Sequence, residues 1–588
     1  MKPKNLKLMA WLLTATLVVG MAACGGGDDS PADEPTPVTP TNPETPTQPE
    51  TPVPTVQACQ GWPEAYDGVM LQGFWWDSYS DSRWTVLTQQ ADELSQYFQL
   101  IWVPNSGKTA DFAHNGRQTM GYDPCYWLDH NSCFGTESEL REMIKTFKAK
   151  GTGIIEDVVI NHKNGLTSWV DFPDETQGTY TIKWDNVNYT AICINDECNS
   201  NGYKTGGAKD TGDNFDGYRD LDHTNLTVQQ NVGTYLSFLL NELGYVGFRY
   251  DMVKGYGARY TAQYNATALP QFSVGECWDG SKQVVTNWIN GTKKNGQIQS
   301  AAFDFPLKYV INTAFGSAQW AQLASPAVLA TDPTYQRYAV TFVDNHDTYR
   351  EQTRLVDNVC AANAYILCMP GTPCLLLKHW QQYRGTLKRL IALRRAAGIN
   401  SQSEIASTKA TADGATIEVK GTKGSLLLTL GNAPTPDDRW TVAVEGYHFK
   451  VYATTGVDLS ALRAVADQDA VVEGQEPQPT AIPEFCTVAA GEMCAFFEAP
   501  SSWGTTIKCW AWNDTANYTG GTWPGTDCTR IGTAANGKDV WKWSYSGTLT
   551  TRPTGIIFND GQNQTADLPF QNGGYYTEEG LQGTVSAE

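Results

Sequence analysis

The chain has 588 residues, and at roughly 100–200 residues per domain this length predicts about three domains, unless one is a large barrel. Hydrophobic residues make up 41% of the chain, which is enough to fill the cores of such domains. The formal net charge of −21 argues against nucleic acid as a partner, because its phosphates would be repelled.

The first residues are typical of an export signal. Lysines precede an apolar run, Leu8–Val19, that is too short to span a membrane as a mature helix. The run ends at Ala23-Cys24 and resembles a bacterial lipobox, in which the cysteine is lipidated; plain secretion is the alternative. The acidic tract Gly25–Asp29 resembles the signal that sends lipoproteins to the outer surface. We expect a signal peptide over residues 1–23, and an outer-membrane protein held only by a lipid on Cys24.

Residues 24–58 form a tract rich in proline, threonine and glutamate, with almost nothing to bury. Such a composition is typical of an extended, semi-rigid spacer, which agrees with an anchor at Cys24.

An exported chain with fourteen cysteines permits disulfides. None of the cysteines has the paired CxxC spacing of a zinc site. The connectivity stays open, and several cysteines are expected to be free and buried. The close pairs are Cys125/Cys133, Cys193/Cys198, Cys486/Cys494 and Cys509/Cys528.

From residue 59 to residue 398, short apolar runs alternate with helical patterns. One helix is predicted to begin at Thr136, where Thr136 and Glu139 form a capping box, and another covers Val228–Leu243. Eight repeats predict a (β/α)8 barrel, with a doubly wound open sheet as the competing fold. The predicted strands are Val69–Phe74, Leu100–Pro104, Ile154–Val159, Gly247–Tyr250, Phe272–Gly275, Ala301–Phe305, Val340–Val343 and Leu375–Leu377.

Three further regions break this rhythm. Residues 163–224 are rich in Asn, Asp and Gly and too long for a connection, which predicts an excursion domain after strand three. Residues 399–457 contain alternating runs typical of an antiparallel β domain. Polar residues 458–484 are predicted to be a linker, and residues 485–588 a Trp-rich β-sandwich module.

Titratable groups stand where several predicted strands end. In a barrel of this kind the chemistry lies at the carboxyl ends of the strands. Strand three is followed by Asn161 and His162, and strand seven by Asp344, His346 and Asp347. Any one of these side chains is more often a cap or a surface charge. Strands four and five also end in carboxylates, and four such strand ends together make coincidence improbable.

Two carboxylates have different neighbours. Arg249 and Asp251 lie two apart on strand four and therefore share a face, so the guanidinium favours an ionised Asp251. Glu276 follows an apolar strand beside Trp278, and desolvation there would raise its pKa and keep it protonated. The pair predicts a nucleophile and a general acid/base in a retaining glycosidase.

Four segments resemble the conserved regions of the α-amylase family, glycoside hydrolase family 13. They stand in the family's order and read DVVINH, GFRYDMVKGY, GECWDG and FVDNHD. The resemblance implies endo-hydrolysis of α-1,4-glucosidic bonds in starch, with Asp251 as nucleophile, Glu276 as acid/base and Asp347 as transition-state stabiliser. By the same resemblance the substrate-binding residues are Tyr122, His162, Arg249, His346 and, on the leaving-group side, Lys254.

Two further segments bear on the resemblance: one indicates a branch of the family, and the other departs from the family pattern. Lys254-Gly-Tyr256 and Phe303-Asp-Phe-Pro-Leu-Lys308 resemble the plant-type enzymes. After Pro373 the chain reads Cys-Leu-Leu-Leu-Lys-His379 instead of the family's Tyr-Asp end of strand eight, so the mouth is expected to differ there.

The family implies a structural calcium between the barrel and the excursion domain. Calcium takes six to eight oxygen ligands. Asn161, Asp220 and the carbonyl of Gly255 match ligand positions, and Asn214 stands where similar enzymes have Asp. A metal-free hydrogen-bonded junction is the alternative.

The last hundred residues resemble starch-binding modules of carbohydrate-binding family 26. Trp510 and Trp512 alternate on a predicted strand, and with Trp523 they are expected to form a platform for a helical glucan, although any single Trp could equally be core. We expect a monomer that binds starch or another α-glucan. The alternatives are a pullulan or maltodextrin hydrolase, a glucanotransferase, and a non-catalytic surface starch-binding protein.

Overall fold

The computed structural model describes residues 61–587, apart from 111–114, 351–352, 475–481, 501–502, 535 and 548–550. The chain divides after Glu473 into two compact units, each described by itself. The predicted signal peptide, Cys24 and the proline-rich tract lie outside the described residues.

The first unit contains a closed barrel of eight parallel strands, and the doubly wound alternative is excluded. Strand β1 closes it, because Met70 pairs with Leu100 on one side and with Cys374 on the other. The strands are β1 (Met70–Gln72), β2 (Leu100–Val103), β3 (Gly153–Val158), β4 (Gly247–Tyr250), β5 (Phe272–Gly275), β6 (Ala301–Phe303), β7 (Ala339–Phe342) and β8 (Thr372–Leu376).

Helices connect these strands. The predicted capping box is confirmed, since Thr136 accepts from the backbone of Glu139 and the Glu139 side chain from that of Thr136. The second predicted helix covers Leu226–Phe238 and continues as a π-helical turn, Leu239–Leu243. The remaining helices are Trp84–Gln89, Ala91–Tyr97, Asn115–Gln118, Glu137–Ala149, Glu197–Ser200, Ala258–Ala268, Lys282–Gly291, Phe305–Gly316, His346–Arg350, Val359–Cys368, Leu377–Gln382, Arg384–Ala397 and Ser460–Arg463, with 3₁₀ turns at Trp320–Leu323 and Gln336–Tyr338.

A small subdomain stands between β3 and helix Leu226–Phe238. Its strands His162–Lys163 and Arg219–Asp220 pair antiparallel, and Glu175–Gln177 pairs with Tyr180–Ile182. The buried Lys163 ammonium lies 4.9 Å from the centre of the Trp127 ring and also faces the Phe172 and Trp184 rings. This cation–π packing attaches the subdomain to the loop that follows β2.

A five-stranded antiparallel sheet follows the barrel within the same unit. The alternating runs that predicted an antiparallel domain in 399–457 are residues 416–419, 425–430 and 441–444, and each lies in one of its strands. Four of the five strands contribute buried residues to a core shared with the barrel helices, and Ile405 and Ala410 of the fifth pack against it. The strands are Glu404–Ala410, Gly414–Lys420, Ser425–Gly431, Trp440–Gly446 and Phe449–Thr454.

Much of the predicted linker 458–484 is attached to the barrel. Asp469 accepts hydrogen bonds from the backbone N–H and hydroxyl of Thr386 at the start of helix Arg384–Ala397. Glu473 accepts from the N–H groups of Val359 and Cys360 at the start of helix Val359–Cys368. The polar composition that suggested a linker therefore supplies caps for helix N-termini.

The second unit has two antiparallel-rich sheets that enclose an apolar core, as predicted for a sandwich. One sheet contains Thr529–Thr533, Asp539–Tyr545, Met493–Glu498, Gly574–Thr577 and Gly580–Thr584; the other contains Thr526–Asp527, Lys508–Trp512, Gly555–Asn559 and Leu568–Pro569.

The twelve cysteines among the described residues are free thiols, so none of the four candidate pairs is a disulfide in this structure. In the same part of the chain, no helix is both long and apolar enough to cross a membrane.

Candidate active site

Arg249 on β4 joins the acidic groups at the barrel mouth. Its guanidinium is fully buried, and Nη1 donates to Asp157 Oδ1 and to Asp251 Oδ1, both at 2.7 Å. Nη2 lies 2.5 Å from Glu276 Oε1. A buried cation requires such partners, because its desolvation is costly. One arginine therefore fixes the predicted nucleophile and the predicted acid relative to each other.

The barrel register brings these two carboxylates together. Tyr250 pairs with Gly275 across β4 and β5, and Asp251 and Glu276 are the next residues on each strand. The backbone N–H of Glu276 donates to the Tyr250 carbonyl at 3.0 Å, which extends the ladder by one residue. Both side chains thus emerge at the carboxyl ends of adjacent strands.

Glu276 is in the environment predicted for a general acid. It is 6% exposed, and its Oε2 accepts from the Met252 backbone N–H at 3.0 Å. Burial raises the pKa of Glu276 well above its usual range; Arg249 opposes the rise, and the charges of Asp251 and Asp347 add to it. The predicted direction of the shift is confirmed.

Asp347 is held by two aromatic neighbours. Trp76 Nε1 donates to Asp347 Oδ1 at 2.8 Å, and His346 Nε2 lies 3.2 Å from Oδ2. Burial raises the pKa of Asp347, while Trp76, Arg249 and Arg350 oppose the rise. About a quarter of the side chain (24%) stays exposed, so the carboxylate is accessible to solvent.

Tyr122, His162 and His346 gather on the same side of the mouth. The Tyr122 hydroxyl donates to Asp157 Oδ2 at 2.6 Å, and its ring stacks on His346 with centroids 5.2 Å apart. His162 Nε2 is 2.9 Å from the Tyr122 carbonyl, while its buried Nδ1 has no protein partner. Burial lowers the pKa of His162, and that of His346 further, so both rings are neutral hydrogen-bonding groups.

Two residues of this site were missed as functional in the sequence. Trp76 follows the end of β1, and Trp75-Trp76 in that position is the signal that could have indicated it. Asp157 lies within the predicted third strand and was given no role, yet it accepts hydrogen bonds from Arg249, Tyr122 and Trp102.

Lys254 lies in the same cleft as Glu276. Its ammonium is 3.2 Å from Asp279 and 3.4 Å from Asp213. It lines a cleft of about 210 Å³ with Glu276 and Trp278, which confirms that these two lie side by side. A more open cavity of about 590 Å³, lined by Ser281, Lys282 and Tyr335 among others, contains none of the three predicted catalytic carboxylates.

The residues after β8, where the sequence departs from the family pattern, form a short helix. Helix Leu377–Gln382 begins directly after the strand. Lys378 lies over the Trp75 ring at 5.1 Å, and the buried His379 ring is 3.7 Å from Asp344.

Three of the four predicted calcium ligands lie together. Asn161 Nδ2 donates to Asp220 Oδ1 at 2.6 Å, and a side chain at Gly255 would place its Cβ 2.1 Å from Asn161 Oδ1. The fourth, Asn214, is exposed, and its side-chain bonds run to Asn195 and Asp216.

Asp210, absent from the predicted set, is in hydrogen-bonding contact with Asp220. Oδ2 of Asp210 and Oδ2 of Asp220 are both buried, and neither accepts a hydrogen bond from a protein donor. Burial and this mutual contact raise the pKa of Asp220 well above its usual range. Two facing carboxylates with unused oxygens are suited to a cation. No metal-type cluster of three or more His, Cys, Asp or Glu side chains occurs in the described part of the chain.

The three predicted tryptophans of the second unit lie on an outer face. Along Lys508–Trp512 burial alternates, so Trp510 and Trp512 share the outer side of the strand. Trp523 is 48% exposed, and its ring meets that of Trp510 at 5.7 Å and 64°. Of the three, Trp523 is the ring most available to a ligand.

Two carboxyl groups in different environments, held by one arginine at the carboxyl end of a parallel barrel, are typical of glycoside hydrolases, and this is the class that fold and site define. The model of the family "Alpha amylase, catalytic domain" matches residues 110–378, and that of "Starch-binding module 26" matches residues 495–570.

Similar proteins agree with this class. The chain is 30% identical over 412 residues to "Probable alpha-amylase 2" of Arabidopsis thaliana, covering 65% of this chain and 93% of that one. It is 28% identical to "Glucan 1,4-alpha-maltotetraohydrolase" of Stutzerimonas stutzeri, covering 62% and 68%. The chain belongs to the α-amylase family. It is a glycoside hydrolase that cleaves α-1,4-glucosidic bonds within glucans, and it carries a starch-binding module.

Proposed function

We propose that the enzyme degrades starch by a retaining double displacement, with Asp251 as nucleophile and Glu276 as acid/base. The observation that carries this assignment is the shared guanidinium of Arg249. It lies 2.7 Å from Asp251 and 2.5 Å from Glu276, and burial raises the pKa of Glu276. The two carboxyl groups are therefore adjacent but in different environments, as this mechanism needs.

In the first step an Asp251 oxygen forms a bond to the anomeric carbon. The bond from that carbon to the glycosidic oxygen breaks, and Glu276 gives its proton to the departing oxygen. In the second step the Glu276 carboxylate takes a proton from water, whose oxygen attacks the anomeric carbon and releases Asp251. Asp347, oriented by Trp76 and His346, stabilises the positive charge that develops on the sugar between these states.

Reducing-sugar release from soluble starch tests the roles. Asp251→Asn is expected to abolish turnover, and Glu276→Gln to lower kcat about 10²- to 10⁴-fold. Asp92→Asn is the control, because Asp92 pairs with Lys150 on the outside of the barrel. NMR of the first product should show the α-anomer. A β-anomer, or an active Asp251→Asn enzyme, contradicts the assignment.

Starch, rather than pullulan or short maltodextrins, is proposed as the substrate because the same chain carries a starch-binding module. Rates on amylose, pullulan and maltodextrins separate this proposal from a pullulan or maltodextrin hydrolase. Accumulation of longer oligosaccharides instead of reducing ends would indicate a glucanotransferase.

A structural calcium is proposed for the junction beside the active site. Asn161, Asp220 and the Gly255 carbonyl would hold it, and the unused oxygen of Asp210 makes that residue a better fourth ligand than the exposed Asn214. The cation would neutralise the facing carboxylates and so fix the subdomain that follows β3.

We also propose that the protein is a monomer anchored by a lipid on Cys24 to the outer surface of the outer membrane. The support is the sequence Met21-Ala-Ala-Cys24 after an apolar run, with an acidic tract beyond it. Cys24→Ala should move the protein from the detergent phase to the aqueous phase after cell fractionation. Protease added to intact cells should digest the wild type if it is displayed on the surface. A wild type that stays out of the detergent phase would contradict the anchor, and one that intact cells protect from protease would contradict surface display.

A further inference from the structure

A buried ion pair lies behind the segment that carries Asp347. Lys308 belongs to helix Phe305–Gly316, which follows β6, and both its side chain and that of Asp344 have no exposed surface. Lys308 Nζ lies 2.5 Å from Asp344 Oδ1 and donates to Asn312 Oδ1 at 2.7 Å and to the Thr353 carbonyl at 3.0 Å. All three N–H bonds of the ammonium thus have an acceptor.

Asp344 organises the chain that leaves β7. Its Oδ1 accepts from the Thr348 hydroxyl at 3.0 Å, and its Oδ2 accepts from the Leu355 backbone N–H at 3.2 Å. Next to it, Asn345 Oδ1 accepts from the backbone N–H groups of Asp347 and Thr348, at 3.1 and 2.8 Å. The carboxylate therefore links the start of the segment that carries Asp347, at Asp344 itself, to Thr348 and to Leu355 farther along it.

We propose that Lys308, acting through Asp344, is a positioning residue for Asp347. This inference rests on the role proposed for Asp347 above. Lys308 supplies the charge that allows Asp344 to stay ionised inside the protein, since a buried carboxylate without a partner is costly. Without the ammonium, Asp344 must take a proton or move, and its bonds to Thr348 and Leu355 weaken. Asp347 then loses its fixed place beside the reacting sugar.

The inference predicts a loss confined to the transition state. A displacement of about 1 Å in a catalytic group costs up to about 10²-fold in rate. Lys308→Met is expected to lower kcat on maltoheptaose about 10- to 100-fold and to change KM less than about 3-fold. Binding of a cationic, half-chair-shaped sugar inhibitor should weaken by the same factor as kcat, while maltose binding stays unchanged, because Asp347 acts on the developing charge.

Lys388→Met is the matched control. Lys388 is also a buried lysine, 6% exposed, and pairs with Glu93 and Asp467 at 2.8 Å each, but it lies on helix Arg384–Ala397 away from the β7 segment. Activities are compared per folded molecule, measured by near-ultraviolet circular dichroism. A Lys308→Met enzyme that keeps its kcat, or that loses no more than Lys388→Met, overturns the inference.

Two further variants make the outcome unambiguous. If Lys308→Met does not fold, Asn312→Ala removes one acceptor of Lys308 and a second bond to the Thr353 carbonyl, and kcat should fall about 3- to 10-fold. Full activity of Asn312→Ala then overturns the inference. Asp347→Ala is measured in parallel: if it stays active, the proposed role of Asp347 fails, whereas an inactive Asp347→Ala beside a fully active Lys308→Met refutes only the positioning role.

Discussion

Two buried glutamates, Glu276 and Glu156, lie in different environments. Glu276 reaches the cleft and lies between Arg249 and the other mouth carboxylates. Glu156 on β3 has no exposed surface, and its Oε1 accepts from the backbone N–H and the hydroxyl of Ser106. Burial raises the pKa of Glu156 to about 8, although hydrogen bonds from Tyr245 and Ser106 oppose the rise. No cation pairs with it among the described residues.

Glu156→Gln is therefore expected to make stability less dependent on pH. Between the ordinary glutamate pKa and the raised pKa of about 8, the folded state holds a proton that the unfolded state has released. Stability of the wild type consequently falls as pH rises through this window, by about 3 kcal/mol in total at pH 7. The amide keeps the acceptor for Ser106 but has no proton to take up.

Thermal unfolding midpoints at pH 5 and pH 8 measure this effect. The gain of Glu156→Gln over the wild type should be larger at pH 8. Glu404→Gln, at an exposed strand edge, provides the comparison and should change both midpoints little. An equal gain at both pH values would show that Glu156 is ionised in the folded protein.

At the scale of residues, the sequence identified groups that follow strand ends but not their long-range partners. Asp251, Glu276 and Asp347 were found because each stands at the end of an apolar run. Trp76 is 271 residues from Asp347, and its hydrogen bond exists only once the barrel has closed. The pairing of Lys308 with Asp344 could not be predicted from the sequence for the same reason.

At the scale of elements, all eight barrel strands were predictable because parallel strands are buried on both faces and read as apolar runs. Strand Glu404–Ala410 was not, since it lies at a sheet edge with none of its residues buried. The segment before Glu473 was assigned to the linker because its composition is polar. Their function as helix caps depends on two helices that lie far away in sequence.

The proposed calcium site predicts that the stability of the subdomain that follows β3 depends on the metal. After treatment with EDTA, the melting temperature of the wild type should fall, and adding calcium should restore it, because a ligand that binds only the folded state stabilises by about 2.7 kcal/mol at 100 times its Kd. Asp210→Asn and Asp220→Asn should abolish the response. Asn214→Ala should keep it, since that side chain bonds to Asn195 and Asp216. A wild type indifferent to EDTA would favour a metal-free junction.

At the scale of the whole molecule, catalysis and attachment to the polymer belong to separate units. Trp523→Ala is expected to weaken binding to insoluble starch about 10-fold, consistent with about 1.4 kcal/mol for the loss of one aromatic contact. Hydrolysis of maltoheptaose should be unchanged, because the catalytic carboxylates lie in the first unit. Phe485→Ala, an exposed aromatic residue of the same module, is the control. Unchanged starch binding by Trp523→Ala would refute the platform.

The caps supplied by Asp469 and Glu473 determine where the enzyme can be divided. An expression boundary at residue 457, where the last antiparallel strand is already complete, would remove carboxylates from the N-termini of two barrel helices. A chain ending after Glu473 keeps both. We expect the shorter version to melt several degrees below the longer one, at about 1 kcal/mol per lost cap. The catalytic unit of this enzyme thus extends nineteen residues beyond its last β-strand, and a designer who exchanges its binding module should make the junction after Glu473.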